Sequence, residues 1–574
     1  MSAIADLPPA LWLLGAALLL CFTPNRASAL LTVLVPLGAL ALLLQMEPGM
    51  SHSLSVAGLE LRPLELGRVN FVFGVIFLLI SSIASVYAWH VEDRWQRVMA
   101  TAYAAGALGV TFAGDFFTLL VFWEVMAVGS AWLVFARRQP DSIRAGFRYL
   151  IVHMAGGSIL LGGILLHYRE TGTLLLNAFS PGDDLAAWLI LIGVCINVAL
   201  PPLHAWLPDA YPKATVTGAI YMSALTTKSA VYVLLILFPG WDILIYMGVI
   251  MALYGVVYAV LANDIRQILA YHIISQVGYM VAGVGIGTEL SMNGTVAHAY
   301  SHILYKALLF MGAGAVIQAT GVSRLSDLGG LAGKMRPVVC LFMIGAFSIS
   351  GFPLFNGFIS KSIIVSAAGE AHYPVVMLGL LLASVGTFLH TGLKIPVFTF
   401  WGRDARLEVR RLPANMYLAM SVTALLCILY GVAPGLLYSI LPYNRSYHPY
   451  TAYHLVESVQ LLTFTFIAFW IFREKLAGER CIALDTDWFY RRGAALLDGL
   501  LLQPVNGFFT ACASLRGKIV EGVIRAFRNP YRWLRMNAGP SGAFMPDRER
   551  PYLASPVVWV LLAFVLLAST AILA

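Results

Sequence analysis

Apolar stretches long enough to cross a lipid bilayer recur along most of this chain. A helix of about 20 apolar residues matches the roughly 30 Å hydrocarbon core of a bilayer. Only 11% of the residues are charged, against about 25% in a soluble domain, so we expect an all-α polytopic membrane protein. Sixteen such stretches, numbered here as spans 1 to 16, lie near residues 9–22, 28–45, 70–89, 98–113, 116–135, 147–167, 185–207, 214–238, 241–262, 266–287, 294–317, 338–366, 373–400, 415–436, 453–472 and 554–574.

The positions of arginine and lysine predict how the chain is oriented. Basic residues concentrate in cytoplasmic loops. One set of alternate loops contains Arg94, Arg97, Arg137, Arg138, Arg144, Arg148, Arg324, Lys334, Arg336, Arg403, Arg406, Arg410 and Arg411. The opposite loops contain few beyond Arg62, Arg68, Arg169 and Arg445. We therefore expect a protein of the bacterial cytoplasmic (inner) membrane with its N-terminus outside. The net charge of +8 follows from this topology and is not a sign of nucleic-acid binding. Because the first residues lack a basic segment, span 1 is expected to be retained.

The sequence contains no motif for a redox cofactor, a metal cofactor or a nucleotide. Its six cysteines lie far apart without a Cys-x-x-Cys pair, and no glycine-rich phosphate loop occurs. No catalytic site is predicted, so the sequence leaves open whether the chain is part of an enzyme. An ion gradient or a partner subunit is expected to drive whatever it does.

Two spans contain helix-breaking residues at membrane depth. Span 7 contains Pro201 and Pro202, and span 12 contains Gly351 and Pro353. Irregular backbone inside a membrane is tolerated where it is buried in protein or lines a watery cavity. Two broken helices five spans apart predict an inverted-repeat transporter; ordinary proline kinks are the alternative. The predicted divisions are N-terminal helices 1–97, five-helix repeats 98–238 and 239–402, helices 14 and 15 in 403–472, a cytoplasmic segment 473–552 and a last transmembrane helix 553–574.

Ionisable residues interrupt several of the apolar spans. Glu124, Lys228, Lys306 and Lys361 lie on separate spans, and each costs at least roughly 2.5–3.5 kcal/mol in hydrocarbon. Such residues persist where they face a packed interior, a partner or water, so together they predict a path for protons or ions. Glu124 is the expected partner of Lys228. Two further charged residues are open to simpler interpretations. Lys394 is expected either on the path or at the membrane interface. Asp115 begins span 5 and is expected to cap its helix.

His298, His302 and Lys306 repeat at every fourth residue of span 11. This spacing places them on one stripe of a helix over about 12 Å. A row of such groups with water between them can relay protons. Zinc binding by the two histidines is an alternative, although the carboxylate of a His-Glu-x-x-His site is absent. A purely structural histidine pair is another alternative.

The segment 473–552 differs in composition from the spans before it. Apolar residues alternate at helical spacing with Arg491, Arg492, Arg516, Lys518, Arg525, Arg528, Arg532 and Arg535. This pattern predicts a helix in the membrane interface, and a cytoplasmic helical hairpin is the alternative. Gly-Pro-Ser-Gly at 539–542 and Pro551 predict a linker to span 16.

Five motifs in this order resemble the antiporter-like subunits shared by Mrp-type cation/proton antiporters, respiratory complex I and membrane-bound hydrogenases. They are Phe-Trp-Glu124, Pro-Leu-His204-Ala-Trp-Leu-Pro-Asp209, the run from Asp264 through His272 to Tyr279, His298-xxx-His302-xxx-Lys306 and Gly357-Phe-Ile-Ser-Lys361. The resemblance covers roughly residues 70–410. It implies fourteen core helices with two inverted five-helix repeats and a hydrated polar axis at mid-membrane.

The resemblance also assigns roles to individual residues. Glu124 corresponds to the family's fifth-helix glutamate, Lys228 to its eighth-helix lysine, and His298, His302 and Lys306 to its eleventh-helix relay. Lys361 corresponds to the ionisable group after the broken twelfth helix, and His204 and His272 are further path candidates. One position departs from the pattern, because the family's usual lysine is Asn197 here. Either Lys228 has taken over as the partner of Glu124, or the first half-channel is impaired.

The leading hypothesis is a proton-conducting subunit of an Mrp-like Na⁺/H⁺ antiporter complex, with other membrane subunits as partners. The main alternative is a proton-pumping subunit of a complex I-like NADH-quinone oxidoreductase or of a hydrogenase. Two further alternatives are a proton-flux partner of an inorganic-carbon uptake protein and a non-conducting scaffold.

Overall fold

Helices occupy every predicted span in the computed structural model, which describes residues 7–56, 58–182, 184–478, 484–528 and 554–573. In chain order the spans are Pro9–Leu20, Asn25–Leu43, Arg68–Tyr87, Arg94–Phe112, Phe116–Phe135, Pro140–Thr171, Leu185–Val198 with Trp206–Ala210, Gly218–Ala224 with Thr226–Leu237, Asp242–Leu261, Ile265–Ile286, Glu289–Thr320, Arg336–Ser350 with Asn356–Glu370, Pro374–Thr387, Ala414–Val432, Ala452–Phe472 and Ala554–Leu573. Within the described residues, eleven helices are long and apolar enough to cross a membrane, and four shorter apolar helices accompany them.

Spans 7 and 12 are broken, as the sequence predicts. The first helix of span 7 ends at Val198, where Ala199 turns into the left-handed region with a φ of 64°. The first helix of span 12 ends at Ser350, where Gly351 adopts a φ of 74°. The two parts of span 7 remain connected, because Trp206 Nε1 donates a hydrogen bond to the Ile196 carbonyl at 2.8 Å. Carbonyl groups near each break are thereby freed from regular helix hydrogen bonding.

Two further irregularities were not predicted. Span 8 is interrupted at Leu225, between Gly218–Ala224 and Thr226–Leu237. Span 13 continues beyond Thr387 as π-helical turns over Phe388–Lys394 and Val397–Trp401. Such turns in membrane helices often mark functional sites, and here they include Lys394.

A β-hairpin between spans 2 and 3 was also not predicted. Strands β1 (Ser51–Val56) and β2 (Leu59–Glu65) pair antiparallel. The hairpin contacts the start of span 5, because the Arg62 amide donates to Asp115 Oδ2 at 2.7 Å. The Asp115 carboxylate also accepts from the Thr118 amide at 2.7 Å, so Asp115 caps the helix of span 5 as expected.

Spans 10 and 11 form the centre of the helical assembly. The apolar window of span 10 is completely buried, although the span contains Arg266, His272 and Gln276. Small residues allow close approach of the helices: a Cβ atom on Gly278 would lie 2.5 Å from the Gly248 carbonyl oxygen of span 9. The polar residues of spans 10 and 11 are therefore held in a tightly packed interior.

The chain divides into two compact units, Met1–Trp488 and Phe489–Ala574. After span 15, helices comprise Asp487–Leu497, the π-helical turn Asp498–Leu502 and Gln503–Arg528. In the last of these, exposed apolar residues such as Phe508 and Phe509 accompany Arg516 and Lys518. Its location in the membrane interface stays a prediction. The predicted linker at 539–542 and Pro551 lies outside the described residues, as do residues 1–6 of the predicted retained start.

Candidate functional site: a buried ionisable axis

Lys361 is held at the break in span 12. Pro353 has no N–H group to offer the Ile349 carbonyl four residues earlier. The Lys361 ammonium uses this carbonyl, since Nζ donates to Ile349 O at 2.6 Å. The same ammonium lies 3.5 Å from Ser384 Oγ and 5.4 Å from the centre of the Tyr279 ring. The broken helix thus provides the polar environment that a buried lysine requires.

The histidine row of span 11 continues from this lysine. The ring centroids of His298 and Tyr279 lie 5.7 Å apart. His298 Nδ1 also lies 3.0 Å from the hydroxyl of Ser360, the residue that precedes Lys361. His298 and His302 have ring centroids 6.2 Å apart. All these side chains except Lys361, which is 5% exposed, have essentially no exposed surface. The structure therefore brings together three of the predicted path residues, Lys361, His298 and His302.

A second set of contacts links the histidine row to spans 10 and 13. The Tyr305 hydroxyl lies 3.5 Å from His298 Nε2 and donates to Gln276 Oε1 at 3.4 Å. Gln276 Nε2 in turn donates to Thr387 Oγ1 at 3.2 Å, at the start of the π-helical turns. Lys306 is not part of this network, because its Nζ donates to the Leu269 carbonyl at 2.8 Å. His272 faces His390 of span 13, with ring centroids 5.4 Å apart.

Many buried polar atoms along this axis have no hydrogen-bond partner among the described residues. Buried polar groups without a protein partner are usually satisfied by ordered water. We therefore expect the axis to be hydrated. The atoms belong to Asn197, Ser229, His272, Ser275, Ser301, His302, Ser348, Asn356, His390 and Thr391.

The expected ion pair between Glu124 and Lys228 is wrong. Lys228 Nζ donates to the Ser223 carbonyl at 2.5 Å and to Thr227 Oγ1 at 3.0 Å. The break at Leu225 frees this carbonyl, so span 8 itself satisfies the lysine. Glu124 makes no ion pair within the described residues; its carboxylate packs against Gly157 of span 6, where a Cβ atom would lie 2.0 Å from Oε1. Pairing between spans is a tertiary property that the sequence pattern did not determine.

Comparisons with known proteins identify the family of this chain. Residues 113–389 match the family model for the membrane part of NADH:quinone oxidoreductase and Mrp antiporter subunits. A Na(+)/H(+) antiporter subunit of Alkalihalophilus pseudofirmus is 33% identical over 383 residues, which cover 60% of this chain and 77% of that protein. This chain belongs to the NADH:quinone oxidoreductase/Mrp antiporter family.

Members of both branches of this family are similar to the chain. An NADH-quinone oxidoreductase subunit of Desulforudis audaxviator is 34% identical over 344 residues, covering 55% of this chain and 68% of that protein. A chain of the membrane-bound sulfane sulfur reductase, an archaeal respiratory membrane complex, shares the fold with a TM-score of 0.70. That likeness covers 97% of this chain and all of the other at 23% identity.

Asn197 stands where the resemblance predicts a lysine, and the structure shows its surroundings. Its side chain is fully buried at the end of the first helix of span 7, and neither amide atom has a hydrogen-bond partner among the described residues. Two unsatisfied amide atoms in a packed interior cost more than an apolar side chain of the same size. Asn197 is therefore a candidate contact for water on the axis rather than a structural residue.

His153 of span 6 is a buried residue that sequence reasoning missed. Its ring stacks on Tyr149 at 3.9 Å and contacts the Trp206 ring at 4.5 Å, both measured between centroids. It lies one helical turn from Gly157, against which Glu124 packs. A histidine within the apolar run of span 6 was the available signal. His153 therefore lies between the Glu124 region and the second helix of span 7.

Lys394 is buried within the protein. It is 1% exposed, and its Nζ donates to the Val260 carbonyl at 2.6 Å at the end of span 9. The π-helical turns of span 13 hold this lysine against the end of span 9, and both the path and the interfacial interpretation stay predictions. Lys394 and His390 thus share one irregular segment.

A cavity opens beside Lys361. Its lining includes Lys361, Tyr279, Ser384, His454 and Glu457. It has about 50 Å³ available to water, and one water needs roughly 10–15 Å³ on the same measure. His454 and Glu457 belong to span 15, beyond the residues of the family model. Glu457 is a second path candidate that the sequence analysis did not identify.

The zinc alternative for His298 and His302 lacks further ligands. Within the described part of the chain, no group of three histidine, cysteine, aspartate or glutamate side chains is arranged to hold a metal ion. His298 instead contacts Ser360 and Tyr305. These contacts suit proton transfer between hydrogen-bonding groups.

Proposed function

We propose that this chain is the proton-conducting membrane subunit of an Mrp-like Na⁺/H⁺ antiporter complex in a bacterial inner membrane. The observation that carries this proposal is the series Lys361, Tyr279, His298 and His302. The Lys361 Nζ lies 5.4 Å from the centre of the Tyr279 ring, and the ring centroids that follow lie 5.7 and 6.2 Å apart, all within a packed interior. Of these groups, the lysine and the two histidines can exchange protons through intervening waters, and the Tyr279 ring positions the lysine.

Lys228 extends the series toward the first half of the molecule. It lies within electrostatic reach of both His298 and His302. Because Lys228 and Lys361 are each bonded to a carbonyl freed by a helix break, both ammonium groups sit on segments that can rearrange locally.

The exposed side of Glu124 supports a partner protein. Val121 and Val128, one turn before and after Glu124 on the same helix face, are 45% and 52% exposed. A carboxylate on such a face would contact hydrocarbon in the isolated chain, which is costly. We infer that a neighbouring membrane protein of the complex covers span 5 and supplies a hydrogen-bond donor or cation to Glu124.

Sodium-dependent proton movement tests the function. The complex is assembled in antiporter-deficient cells, and the change of vesicle pH on adding Na⁺ is measured for wild type, Lys361→Ala and Lys228→Ala. Lys475→Ala is the control, because Lys475 is exposed on the segment after span 15. We expect both buried-lysine variants to lose at least tenfold in rate. Wild-type rates in both would contradict the proposed path.

A redox-driven pump is the second candidate. It is favoured by the similarity to the quinone oxidoreductase of Desulforudis audaxviator and by the sulfane sulfur reductase chain, which matches this chain beyond span 15 as well. In that case electron transfer in partner subunits would drive the same axis. Purification of the native complex distinguishes the two candidates: cofactor-containing partners and substrate-dependent proton pumping without Na⁺ support the redox pump, whereas Na⁺-dependent exchange supports the antiporter.

A further inference from the structure

The segment between span 15 and the helix Asp487–Leu497 reaches back to the break in span 7. Leu484, Asp485 and Thr486 each contact residues of the transmembrane helices or of the break in span 7. The Thr486 hydroxyl donates to the Pro202 carbonyl at 3.1 Å. The Leu484 carbonyl accepts from the Tyr258 hydroxyl of span 9 at 2.9 Å. These three residues lie some 280 positions beyond Pro202 in sequence and outside the family-matched region.

Asp485 makes the most specific of these contacts. Its side chain is 6% exposed, and its carboxylate accepts from the hydroxyls of Tyr254 and Tyr271, each at 2.6 Å. Burial raises the pKa of Asp485, but the His204 contact and the two tyrosine hydroxyls outweigh burial and leave that pKa below its ordinary value. The residue is thus a carboxylate that the surrounding donors hold in place.

His204 is the ionisable partner within reach of this carboxylate. The His204 ring is fully buried between the two helices of span 7, and its Nε2 lies 3.1 Å from Asp485 Oδ1, off the line of an ideal hydrogen bond. The ring packs edge-on against Tyr254 at 4.5 Å between centroids. A buried carboxylate is strongly destabilising without a charged or hydrogen-bonding partner. The contact therefore fixes the position of the imidazole at the break.

We propose that Asp485 is the positioning residue of His204, and that residues 484–486 act as a latch that keeps the imidazole oriented at the first helix break. This inference rests on the proposed function for its role in transport, because it provides an ionisable group in the half where the resemblance predicts a lysine and the chain has Asn197. The latch itself is a matter of structure and does not depend on transport. It connects the segment after span 15 directly to the first helix break.

Amide hydrogen exchange tests the latch. The full-length chain in lipid nanodiscs is compared as wild type, Asp485→Asn and Glu474→Gln, a matched loss of an exposed carboxylate eleven residues earlier. We expect Asp485→Asn to raise exchange at least fivefold in peptides covering residues 199–207, and Glu474→Gln to leave it unchanged. Equal exchange in all three proteins would overturn the latch. If Asp485→Asn does not fold, Thr486→Val and Tyr254→Phe each remove one latch contact and are expected to raise exchange at the same peptides; no change in either would also overturn it.

Histidine nitrogen spectra test the positioning role, which a merely structural contact would not affect. The signal lost in His204→Gln identifies His204 in the ¹⁵N-histidine spectrum of the full-length protein. We expect the same His204 ring-nitrogen shifts in wild type and in Asp485→Glu, and different shifts in Asp485→Asn at the same pH, because the carboxylate holds the ring. Wild-type shifts in Asp485→Asn would overturn the proposal. Failure of Na⁺-driven transport in the wild-type complex would instead reject the proposed function. It would not affect the hydrogen-exchange and histidine-spectrum results, which test the latch alone.

Discussion

The Lys361 ammonium lies over the face of the Tyr279 ring, 5.4 Å from its centre. This contact connects the broken helix of span 12 to the fully buried helix of span 10. Tyr279 also approaches His298, at 5.7 Å between ring centroids, so one aromatic ring contacts both the lysine and the histidine row. An aromatic face stabilises a cation without offering a proton acceptor that would trap it.

Two substitutions of Tyr279 distinguish the contribution of its ring from that of its hydroxyl. Tyr279→Phe keeps the cation–π contact and removes only the hydroxyl that donates to the Leu380 carbonyl. Tyr279→Leu also removes the ring, whose attraction for a desolvated cation is about 1–2 kcal/mol. We expect Phe to retain most of the transport rate and Leu to lower it on the order of tenfold in vesicle assays. Equal rates for the two variants would show that the ring has no part in placing Lys361.

Asn197→Leu is expected to stabilise the protein while it impairs transport. The replacement has similar volume and removes two buried amide atoms that have no partner in the described structure. An apolar side chain of this size needs no hydrogen-bond partner, whereas the amide depends on water in the axis, so the melting midpoint in detergent should stay the same or rise. The transport rate should fall if the amide contacts water on the axis. Lower stability together with normal transport would make Asn197 a structural residue instead.

The ion pairs of Asp209 should stabilise the second helix of span 7. Asp209 is nearly buried, accepts two hydrogen bonds from Arg148 at 2.7 and 2.9 Å, and contacts Lys213 at 2.6 Å. Because Arg148 is 26% exposed, we expect Asp209→Asn to cost about 1–3 kcal/mol, less than a fully buried pair. Asp404→Asn is the control, since Asp404 is 57% exposed in its pair with Lys334. Thermal unfolding of both variants checks the contrast, and equal melting midpoints would contradict it.

Asp485 should keep its contacts in mild acid. It faces His204, Tyr254 and Tyr271, with Asp487 also nearby. A carboxyl group whose pKa is lowered by folding stabilises the protein at any pH above its ordinary pKa of about 3.9. It loses that contribution only as the pH falls through its lower pKa in the folded protein. The difference in melting midpoint between wild type and Asp485→Asn should therefore stay constant from about pH 7 to about pH 4. A difference that disappears between pH 7 and pH 5 would contradict this assignment.

The sequence identified the helices and both predicted breaks because their signals are local. An apolar run of bilayer length and a proline within it need no partner to be recognised. The Glu124–Lys228 pair was wrong, and Asp485 was missed, because each depends on which elements meet in three dimensions. Asp485 contacts a residue 281 positions earlier, and nothing in the composition of the segment 473–552 distinguishes it from a solvated aspartate. The π-helical turns around Lys394 were missed for a similar reason, since a single widened turn leaves the apolar pattern unchanged.

Glu457 is expected to provide the polar end of the cavity beside Lys361. It lies on span 15 with His454, and both line the same water-sized space as Lys361 and Ser384. A carboxylate at this position can accept the proton that Lys361 releases, so the proton need not pass to the histidine row. Glu457→Gln should therefore lower the transport rate several-fold without changing the melting midpoint, because the amide preserves the shape of the cavity.

Glu370→Gln is the matched control for this prediction. Glu370 is 59% exposed and pairs with Arg445 at 3.7 Å, so its neutralisation should affect neither transport nor stability. The double variant Glu457→Gln with Lys361→Ala should be no slower than Lys361→Ala alone, since both groups act on one route. If the second substitution slows transport further by the same factor as in wild type, Glu457 acts on a separate route and the cavity is not the exit from Lys361.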